Sequence, residues 1–263
     1  MRDYIEVRTQ EALHVACVRG QRLMDTAIII TARGGSKRLP RKNVRQFCGK
    51  PLIAWTVMAA KQSKLAREVF VSTDDDEVAH VSAEFGASVI KRGWISGDKE
   101  YGCVPVVKAL DWIKVNRDWE PELLMTMLPT WPCRDTGGVD AGIKMEQEFG
   151  WWMTYWGYSA QETGIHRKLR NGAAICVLSD KEWRYVKWTA GDSVSLVTSY
   201  REYVDRLLVG DIDDLNIMYD PTGIVPIKLW QVQDTDTEEQ FEAAEYWFKR
   251  KMIDVYGENP YGG

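Results

Sequence analysis

The stretch AIIITARGGSKRLPRKN, residues 27–43, decides the fold that we predict for this chain. It starts with Ala27–Thr31, an apolar and mostly β-branched run that is typical of a strand buried on both faces. Gly34 and Gly35 end the run, and from Pro51 onward PLIAWTVMAAKQ carries apolar side chains near helical spacing. A buried strand, a glycine turn and a returning helix predict the first unit of a parallel α/β sheet.

The pattern of that unit recurs through the first half of the chain. Further strands are predicted at Val69–Ser72, Ser88–Lys91 and Glu122–Leu128, and each is followed by a helical pattern, the last running to about Phe149. Such alternation implies right-handed crossovers and a doubly wound, mainly parallel sheet with ligands at the carboxyl ends of its strands. We therefore predict an α/β, Rossmann-like fold.

The second half of the chain is less regular. We predict a strand in RNGAAICVL (residues 170–178), a helix over Ser195–Leu208, a strand in IVPIKLWQV (residues 224–232) and a final helix whose buried stripe includes Phe241 and Phe248. The domain prediction has three parts: an extension at residues 1–23, one domain at residues 24–263 and, within it, an aromatic-rich insertion at about residues 151–190.

The amino-acid composition argues against several classes of protein. The chain has 263 residues and a formal net charge of −4, so a general nucleic-acid binder is disfavoured. No apolar run is long enough to span a bilayer, and residues 1–23 lack the pattern of a secretory signal. The five cysteines are scattered, with no short paired spacing of the kind that binds zinc. We therefore expect reduced thiols in a cytoplasmic protein.

Cationic residues cluster in the loop after the first strand. Arg33, Lys37, Arg38, Arg41 and Lys42 surround the glycine pair, and together they suggest a cradle for phosphate groups. The loop lacks G-x-x-x-x-G-K-[ST] and G-x-G-x-x-G, so it is neither a P-loop nor a dinucleotide fingerprint. A nucleoside triphosphate therefore remains the expected ligand, and the alternative is a solvated basic loop.

ARGGSKRLPRKN followed by GKPLIAWT closely resembles the nucleotide-binding signature of the CMP-sialic acid synthetase (acylneuraminate cytidylyltransferase) family. VFVSTDDDEVA, LPTWPCR, RNGAAICV and QDTDTEEQFEAAE resemble later family blocks in the same order, and KRLPRKN with QDTDT is most similar to the pseudaminic acid cytidylyltransferase branch. The resemblance implies transfer of CMP from CTP to the anomeric hydroxyl of a nonulosonic acid, with release of pyrophosphate.

The resemblance also implies roles for individual residues. Arg33 and Lys42 would hold the phosphates during catalysis, and Asp234 with Asp236 would bind Mg²⁺, with Asp236 also catalytic. The residues implied for nucleotide binding are Ala32, Arg33, Gly34, Gly35, Ser36, Lys37, Lys42, Asn43 and Asp98. Arg134, Arg170 and Asn171 are implied for the acidic sugar, and the family resemblance adds a homodimer formed through residues 151–190.

Acidic clusters have simpler interpretations as well. Asp234 and Asp236 precede a helix, so Asp236 or Thr237 also suits an N-cap. For residues 74–76 capping is favoured over metal binding. A second acidic segment, GDIDDLN at residues 210–216, is interpreted as a solvated turn.

Departures from the family pattern leave the substrate open. Leu128 stands where many members have Gln, Trp131 replaces a small residue, and the SGDKEYG loop that contains Asp98 differs from the family form. The sequence thus leaves the identity of the nonulosonic acid undecided. It also leaves two alternatives, another sugar nucleotidyltransferase and a non-catalytic nucleotide- or sugar-binding relative.

Overall fold

A seven-stranded sheet forms the centre of the computed structural model, which describes residues 23–93, 103–149, 153–157, 188–208 and 222–262. The sheet has the order β5-β4-β1-β6-β8-β7-β9. Its strands are β1 (Thr26–Ala32), β4 (Ala66–Thr73), β5 (Ser88–Lys91), β6 (Leu123–Met127), β7 (Met153–Gly157), β8 (Trp188–Leu196) and β9 (Thr222–Pro226), and β2 (Gln46–Phe47) and β3 (Lys50–Pro51) form a separate hairpin. All pairs in the sheet are parallel except those that β8 makes with β6 and β7.

Helices connect these strands. They are α1 (Leu52–Lys61), α2 (Asp76–Glu84), α3 (Val104–Arg117), α4 (Gly138–Phe149), α5 (Val197–Leu208) and α6 (Glu238–Phe248), and α6 continues through a π-helical turn at Lys249–Ile253 into a last turn at Asp254–Tyr256. No helix among the described residues is both long enough and apolar enough to cross a bilayer.

The central strand β1 is buried on both faces. Ile28 and Ile30 pack in a cluster with residues of α1, α2, α4 and α6, whereas Ala27 and Ile29 pack in a second cluster with residues of α3 and α5. Successive side chains of a strand point to opposite faces, so helices cover both faces of the sheet. The predicted doubly wound, mainly parallel α/β fold is confirmed.

The hairpin β2–β3 joins the start of the domain to its end. Cys48 and Gly49 form its two-residue turn, with φ angles of 46° and 85°. Phe47 packs with ring centroids 5.3 Å from Phe241 and 5.4 Å from Phe248, both on α6. The predicted buried stripe of α6 is therefore confirmed, and its packing sets the preceding acidic segment beside the loop after β1.

Two sequence predictions in the second half need correction. The strand predicted over residues 224–232 ends at Pro226, because proline has no N–H with which to continue a ladder. Ser195 and Leu196 end β8 instead of beginning the helix, which starts at Val197. The strand predicted at residues 170–178 and the extension at residues 1–22 lie outside the described residues.

The predicted insertion begins and ends in the central sheet. Residues 153–157 and 188–190 belong to β7 and β8, so only residues 158–187 lie between sheet strands, and these are outside the described part of the chain. The role of this segment in dimerisation stays a prediction. Cys48, Cys103 and Cys133 are free thiols, which agrees with the expectation of reduced cysteines for these three positions.

Candidate active site

Four parallel strands end at one edge of the sheet, and the site is built from the segments that follow them. Residues 33–45 follow β1, residues 74–75 follow β4, Arg92 follows β5 and residues 128–137 follow β6. Because β7 and β9 are parallel to each other and antiparallel to β8, the segment after Pro226 starts at this edge too. This is the edge at which ligands bind in open α/β sheets.

The basic loop, defined here as residues 33–42, is held against the first turn of α2. The Gly34 N–H donates to Asp74 Oδ1 at 3.1 Å. Arg41, in the left-handed region with φ 57°, pairs with Asp75 at 2.5 Å and with Glu77. The hydrogen bond from Arg41 lowers the pKa of Asp75, and Asp75 also caps α2 by accepting from the Val78 N–H at 3.0 Å. The capping interpretation of residues 74–76 is confirmed for Asp75.

The two glycines of the basic loop differ in their surroundings: Gly34 is closely packed, whereas Gly35 is not. A Cβ atom on Gly34 would lie 2.8 Å from the Cβ of Asp75, so only glycine fits there. A Cβ atom on Gly35 would meet nothing within 4 Å. Since the Gly34 N–H is already bonded to Asp74, its predicted contact with phosphate would have to replace that bond, whereas Gly35 faces open space.

The far end of the basic loop is more buried than its tip. Lys42 and Asn43 belong to a 3₁₀ turn at Lys42–Val44, and both are nearly buried. The Asn43 side chain donates from Nδ2 to the Arg33 carbonyl at 2.9 Å, while its buried Oδ1 accepts no hydrogen bond within the described structure. A buried amide oxygen without a donor favours a ligand hydroxyl or amine at this point.

Lys42 and Asp236, 194 residues apart in the chain, form an ion pair. The Lys42 Nζ lies 2.5 Å from Asp236 Oδ1, and Arg38 pairs with Asp236 Oδ2. The Lys42 side chain is only 8% exposed, whereas that of Arg38 is 70% exposed. The fold thus brings the predicted phosphate-binding cation Lys42 together with the predicted metal ligand Asp236.

The acidic segment keeps its carboxylates out of the helix cap. Thr237 is the N-cap of α6 and forms a capping box with Gln240, so the alternative in which Asp236 caps the helix is wrong. Asp234 accepts from the Thr235 N–H at 2.7 Å, and desolvation by burial raises its pKa, with a smaller contribution from the nearby negative charge of Asp236. Within the described residues, no group of three or more histidine, cysteine or acidic side chains could hold a metal ion.

Arg134 makes several hydrogen bonds within the protein. Its Nε and Nη2 atoms each donate to Asp192 at 2.7 Å, its Nη1 donates to Thr56 Oγ1 at 2.9 Å, and Nη2 also donates to the Leu128 carbonyl at 2.8 Å. Both members of the ion pair are nearly fully buried. All three guanidinium nitrogens therefore have partners within the protein, and the predicted contact of Arg134 with the sugar stays a prediction.

Other contacts tie the segment after β6 to the end of the chain. Trp131 donates its indole N–H to the Gln231 carbonyl, and Thr235 Oγ1 donates to the Thr130 carbonyl at 3.2 Å. The Tyr261 hydroxyl donates to the Arg134 carbonyl at 2.9 Å, and burial raises the pKa of Tyr261 above its usual range. Trp131, a departure from the family pattern, thus has a structural partner here.

A pocket of about 210 Å³ lies beside this segment. Arg134 and Asp192 form part of its wall, and Gly137, Lys228 and Gln231 are among the other lining residues. Apolar side chains such as Val139 and Ile227 share the lining with the charged side chains of Asp135 and Lys228.

Sequence reasoning missed two buried groups at this edge. Arg92, which follows β5 directly, is 7% exposed and donates from Nη2 to the Ala32 carbonyl at 3.2 Å. Its position after a parallel strand is the signal that would have revealed it. Asp192 lies inside β8, where no sequence pattern marks it as the partner of Arg134.

The predicted residues divide by position. Those that lie together at this edge are Ala32, Arg33, Gly34, Gly35, Ser36, Lys37, Lys42, Asn43, Asp234 and Asp236. Asp98, Arg170 and Asn171 lie outside the described residues, as does the second acidic segment at residues 210–216. Their predicted roles stay predictions.

The basic loop falls inside a match to a family model described as cytidylyltransferase, which covers residues 27–111. The sequence of this segment is thus similar to that of cytidylyltransferases. A CMP-N,N'-diacetyllegionaminic acid synthase from Legionella pneumophila is 56% identical over 61 residues, which are 23% of this chain and 26% of that protein. A pseudaminic acid cytidylyltransferase from Campylobacter jejuni is 48% identical over 64 residues, 24% of this chain and 28% of that protein. The matched part thus spans only about a quarter of each relative.

The fold extends the likeness to cytidylyltransferases over most of the chain. A CMP:2-keto-3-deoxy-manno-octonic acid synthetase, solved as a complex with CTP, superimposes with a TM-score of 0.64 and 19% identity over 86% of this chain and 99% of that chain. At this identity the likeness concerns the fold. Asp234 and Asp236 lie outside the family match, so their place beside the basic loop is a finding of the structure.

Proposed function

We propose that this protein transfers CMP from CTP to the anomeric hydroxyl of a nonulosonic acid and releases pyrophosphate. The observation that carries the proposal is the contact between Lys42 in the basic loop and Asp236 before α6, at the ligand-binding edge of the sheet. The loop lies in the segment that matches the cytidylyltransferase family model, and two similar proteins are named as a CMP-N,N'-diacetyllegionaminic acid synthase and a pseudaminic acid cytidylyltransferase.

The basic loop would bind and orient the triphosphate. In the reaction the sugar hydroxyl loses its proton and forms a bond to the α-phosphorus, while the bond from that phosphorus to the bridging oxygen of the leaving pyrophosphate breaks. Negative charge grows on the leaving group, and Arg33, Lys37 and Lys42 would stabilise it. The unpaired Oδ1 of Asn43 supports a ribose hydroxyl as the nearby donor.

Asp234 and Asp236 suit Mg²⁺, which proteins often bind through one or two carboxylates together with substrate phosphates. The absence of a third described ligand fits that mode, as does the position of Asp236 beside a phosphate-binding cation. When bound, Mg²⁺ would neutralise charge on phosphate oxygens. Asp234 and Asp236 would hold it close to the Lys42 ammonium group.

The proposal also covers the contacts to the sugar, the assembly and the location of the protein. Arg134 would act by fixing the segment after β6, and Arg170 with Asn171 would contact the acid. A homodimer formed through about residues 151–190 and a cytoplasmic location complete it. These parts rest on the family resemblance, and light scattering at micromolar concentration tests the dimer.

Pyrophosphate release is the decisive measurement. With Mg²⁺ and a panel of N-acetylneuraminic, legionaminic and pseudaminic acids, we expect release with CTP and much less with ATP, GTP or UTP. Binding of CTP without product from any acid would instead support a non-catalytic relative. Product formed only with an eight-carbon keto-deoxy acid would support the other sugar nucleotidyltransferase branch.

A further inference from the structure

The basic loop is fixed at both ends on one side of the site. Near its start the Gly34 N–H binds Asp74, and near its end Arg41 binds Asp75 and Glu77, all three acids lying at the beginning of α2. The left-handed conformation of Arg41 turns the chain sharply between this contact and the buried Lys42. The span between residues 35 and 40 therefore bridges from α2 toward the opposite side of the site.

The tip of this span reaches Asp236. Arg38 pairs with Oδ2 of that carboxylate while Lys42 pairs with Oδ1, so each oxygen faces a cation. A divalent cation that binds Asp236 would compete with both of them for the negative charge of this carboxylate. Arg38 is the more easily displaced, because its side chain is 70% exposed and an exposed ion pair stabilises a protein only weakly.

We propose that Arg38 is an exchangeable counter-ion that couples nucleotide binding to metal binding. Without nucleotide, Arg38 occupies Asp236 and lowers its affinity for a divalent cation. A triphosphate offers the guanidinium a stronger, bidentate partner, and the transfer of Arg38 to phosphate frees Oδ2 for the metal. This inference rests on the proposed function and on Asp236 as a metal ligand.

Coupling of this kind is reciprocal. If the triphosphate makes Asp236 available to the metal, then loss of the Arg38–Asp236 pair must change the affinity for each ligand measured alone. Arg38 affects the two ligands in opposite ways. Its guanidinium competes with the metal cation for Asp236 and so lowers metal affinity, whereas it attracts the triphosphate anion and so raises nucleotide affinity. Binding measurements on each ligand alone therefore test the proposal without turnover.

The first experiment measures Mn²⁺ alone by electron paramagnetic resonance, with the full chain and no nucleotide. Arg38→Gln should bind Mn²⁺ about two- to fivefold more tightly than the wild type, as expected for loss of an exposed ion pair. The matched control is Arg45→Gln, because Arg45 pairs with Glu238 two residues from Asp236 and its replacement removes the same charge. Equal Mn²⁺ affinity in wild type and Arg38→Gln, or an equal gain in both variants, would overturn the proposal.

The second experiment measures CTP binding by calorimetry in EDTA as a double-mutant cycle. Asp236→Asn should strengthen CTP binding severalfold when Arg38 is present and have a clearly smaller effect in the Arg38→Gln background, where only Lys42 loses its pair. Additive effects would mean that the two side chains act only through their separate charges, and the coupling would be rejected. If CTP binds no variant with or without metal, the proposed function fails, whereas CTP binding with an additive cycle rejects only the role of Arg38.

Discussion

Gly34 packs against the side chain of Asp75 at a distance that leaves no room for a Cβ atom. The same Asp75 caps α2 and pairs with Arg41, so one carboxylate meets the start of the basic loop, its end and a helix N-terminus. The conformation of the basic loop therefore requires glycine at position 34, whether or not a ligand is bound.

Replacement of Gly34 by alanine should destabilise the protein. The new Cβ would displace Asp75 and weaken both its cap and its pair with Arg41, at a cost of about 1–2 kcal/mol in the free energy of unfolding. Urea denaturation measures this. Gly35→Ala is the control, since it meets no neighbour and should leave stability within about 0.5 kcal/mol. Similar stability losses in both variants would contradict the packing argument.

Charge on Asp75 should make a pH-dependent contribution to stability. Its pKa is lower in the folded state than in the unfolded chain, so the contribution is present at neutral pH and disappears as the pH falls through the folded value. Asp75→Asn keeps a capping oxygen but loses the charge. We expect it to be about 0.5–1 kcal/mol less stable than wild type at pH 7, and this difference should begin to shrink near pH 4, the ordinary pKa of aspartate, and vanish below the lower pKa of the folded state. If the difference in the free energy of unfolding between wild type and Asp75→Asn increased as the pH fell, the prediction would be contradicted.

Asp236→Asn should abolish most Mg²⁺-dependent turnover. Asparagine keeps an oxygen for Lys42 but lacks the charge that a hard cation requires, so a loss of about 10²–10³ in kcat is expected. Because Thr237 holds the cap, the melting temperature should change little. Glu238→Gln removes an equal charge from a residue that pairs with Arg45, and it should remain near normal, as should Asp213→Asn. Pyrophosphate release at limiting Mg²⁺ decides the matter, and a fully active Asp236→Asn would exclude the metal assignment.

Tyr261→Phe should cost about 1–2 kcal/mol, because the buried Arg134 carbonyl would lose its donor while the ring packing remains. Tyr246→Phe is a matched control, since Tyr246 is 57% exposed and should change stability by less than about 0.5 kcal/mol. Thermal unfolding followed by circular dichroism compares the two. Equal melting temperatures for both variants would show that the Tyr261 hydroxyl contributes nothing to holding the segment after β6.

Strong hydrophobic patterns made the parallel half of the sheet predictable. Ala27–Thr31 is a mostly apolar run followed by a glycine pair, Ser88–Lys91 has the β-branched Val89 and Ile90 at its centre, and both are strands. The later strand β8 escaped recognition because Asp192, Ser193 and Ser195 interrupt its apolar pattern, although all three are buried. Polar groups can be buried there because partners satisfy some of them: Asp192 meets Arg134, and the Ser193 hydroxyl lies 2.8 Å from that of Thr126.

The site was predictable in its composition but not in its pairings. Local spacing identified the cations of the basic loop and the acidic segment before α6 separately. That Lys42 and Arg38 meet one carboxylate depends on how α6 packs against the hairpin β2–β3, which no local pattern contains. The ion pair of Arg134 could not be predicted for the same reason, because its partner Asp192 lies 58 residues away in the sequence.

The packing of α6 on the hairpin β2–β3 also has a consequence for synthesis of the protein on the ribosome. Phe47 can pack only after Phe241 and Phe248 have been synthesised. Contacts between residues so far apart in sequence form slowly during folding. Until the last residues of the domain emerge, the nascent chain displays an apolar hairpin and a cationic loop without Asp236 to balance it. A ribosome stalled before residue 236 should therefore carry a chain that is prone to aggregation and attracted to the surrounding RNA, a vulnerability that ends when α6 docks.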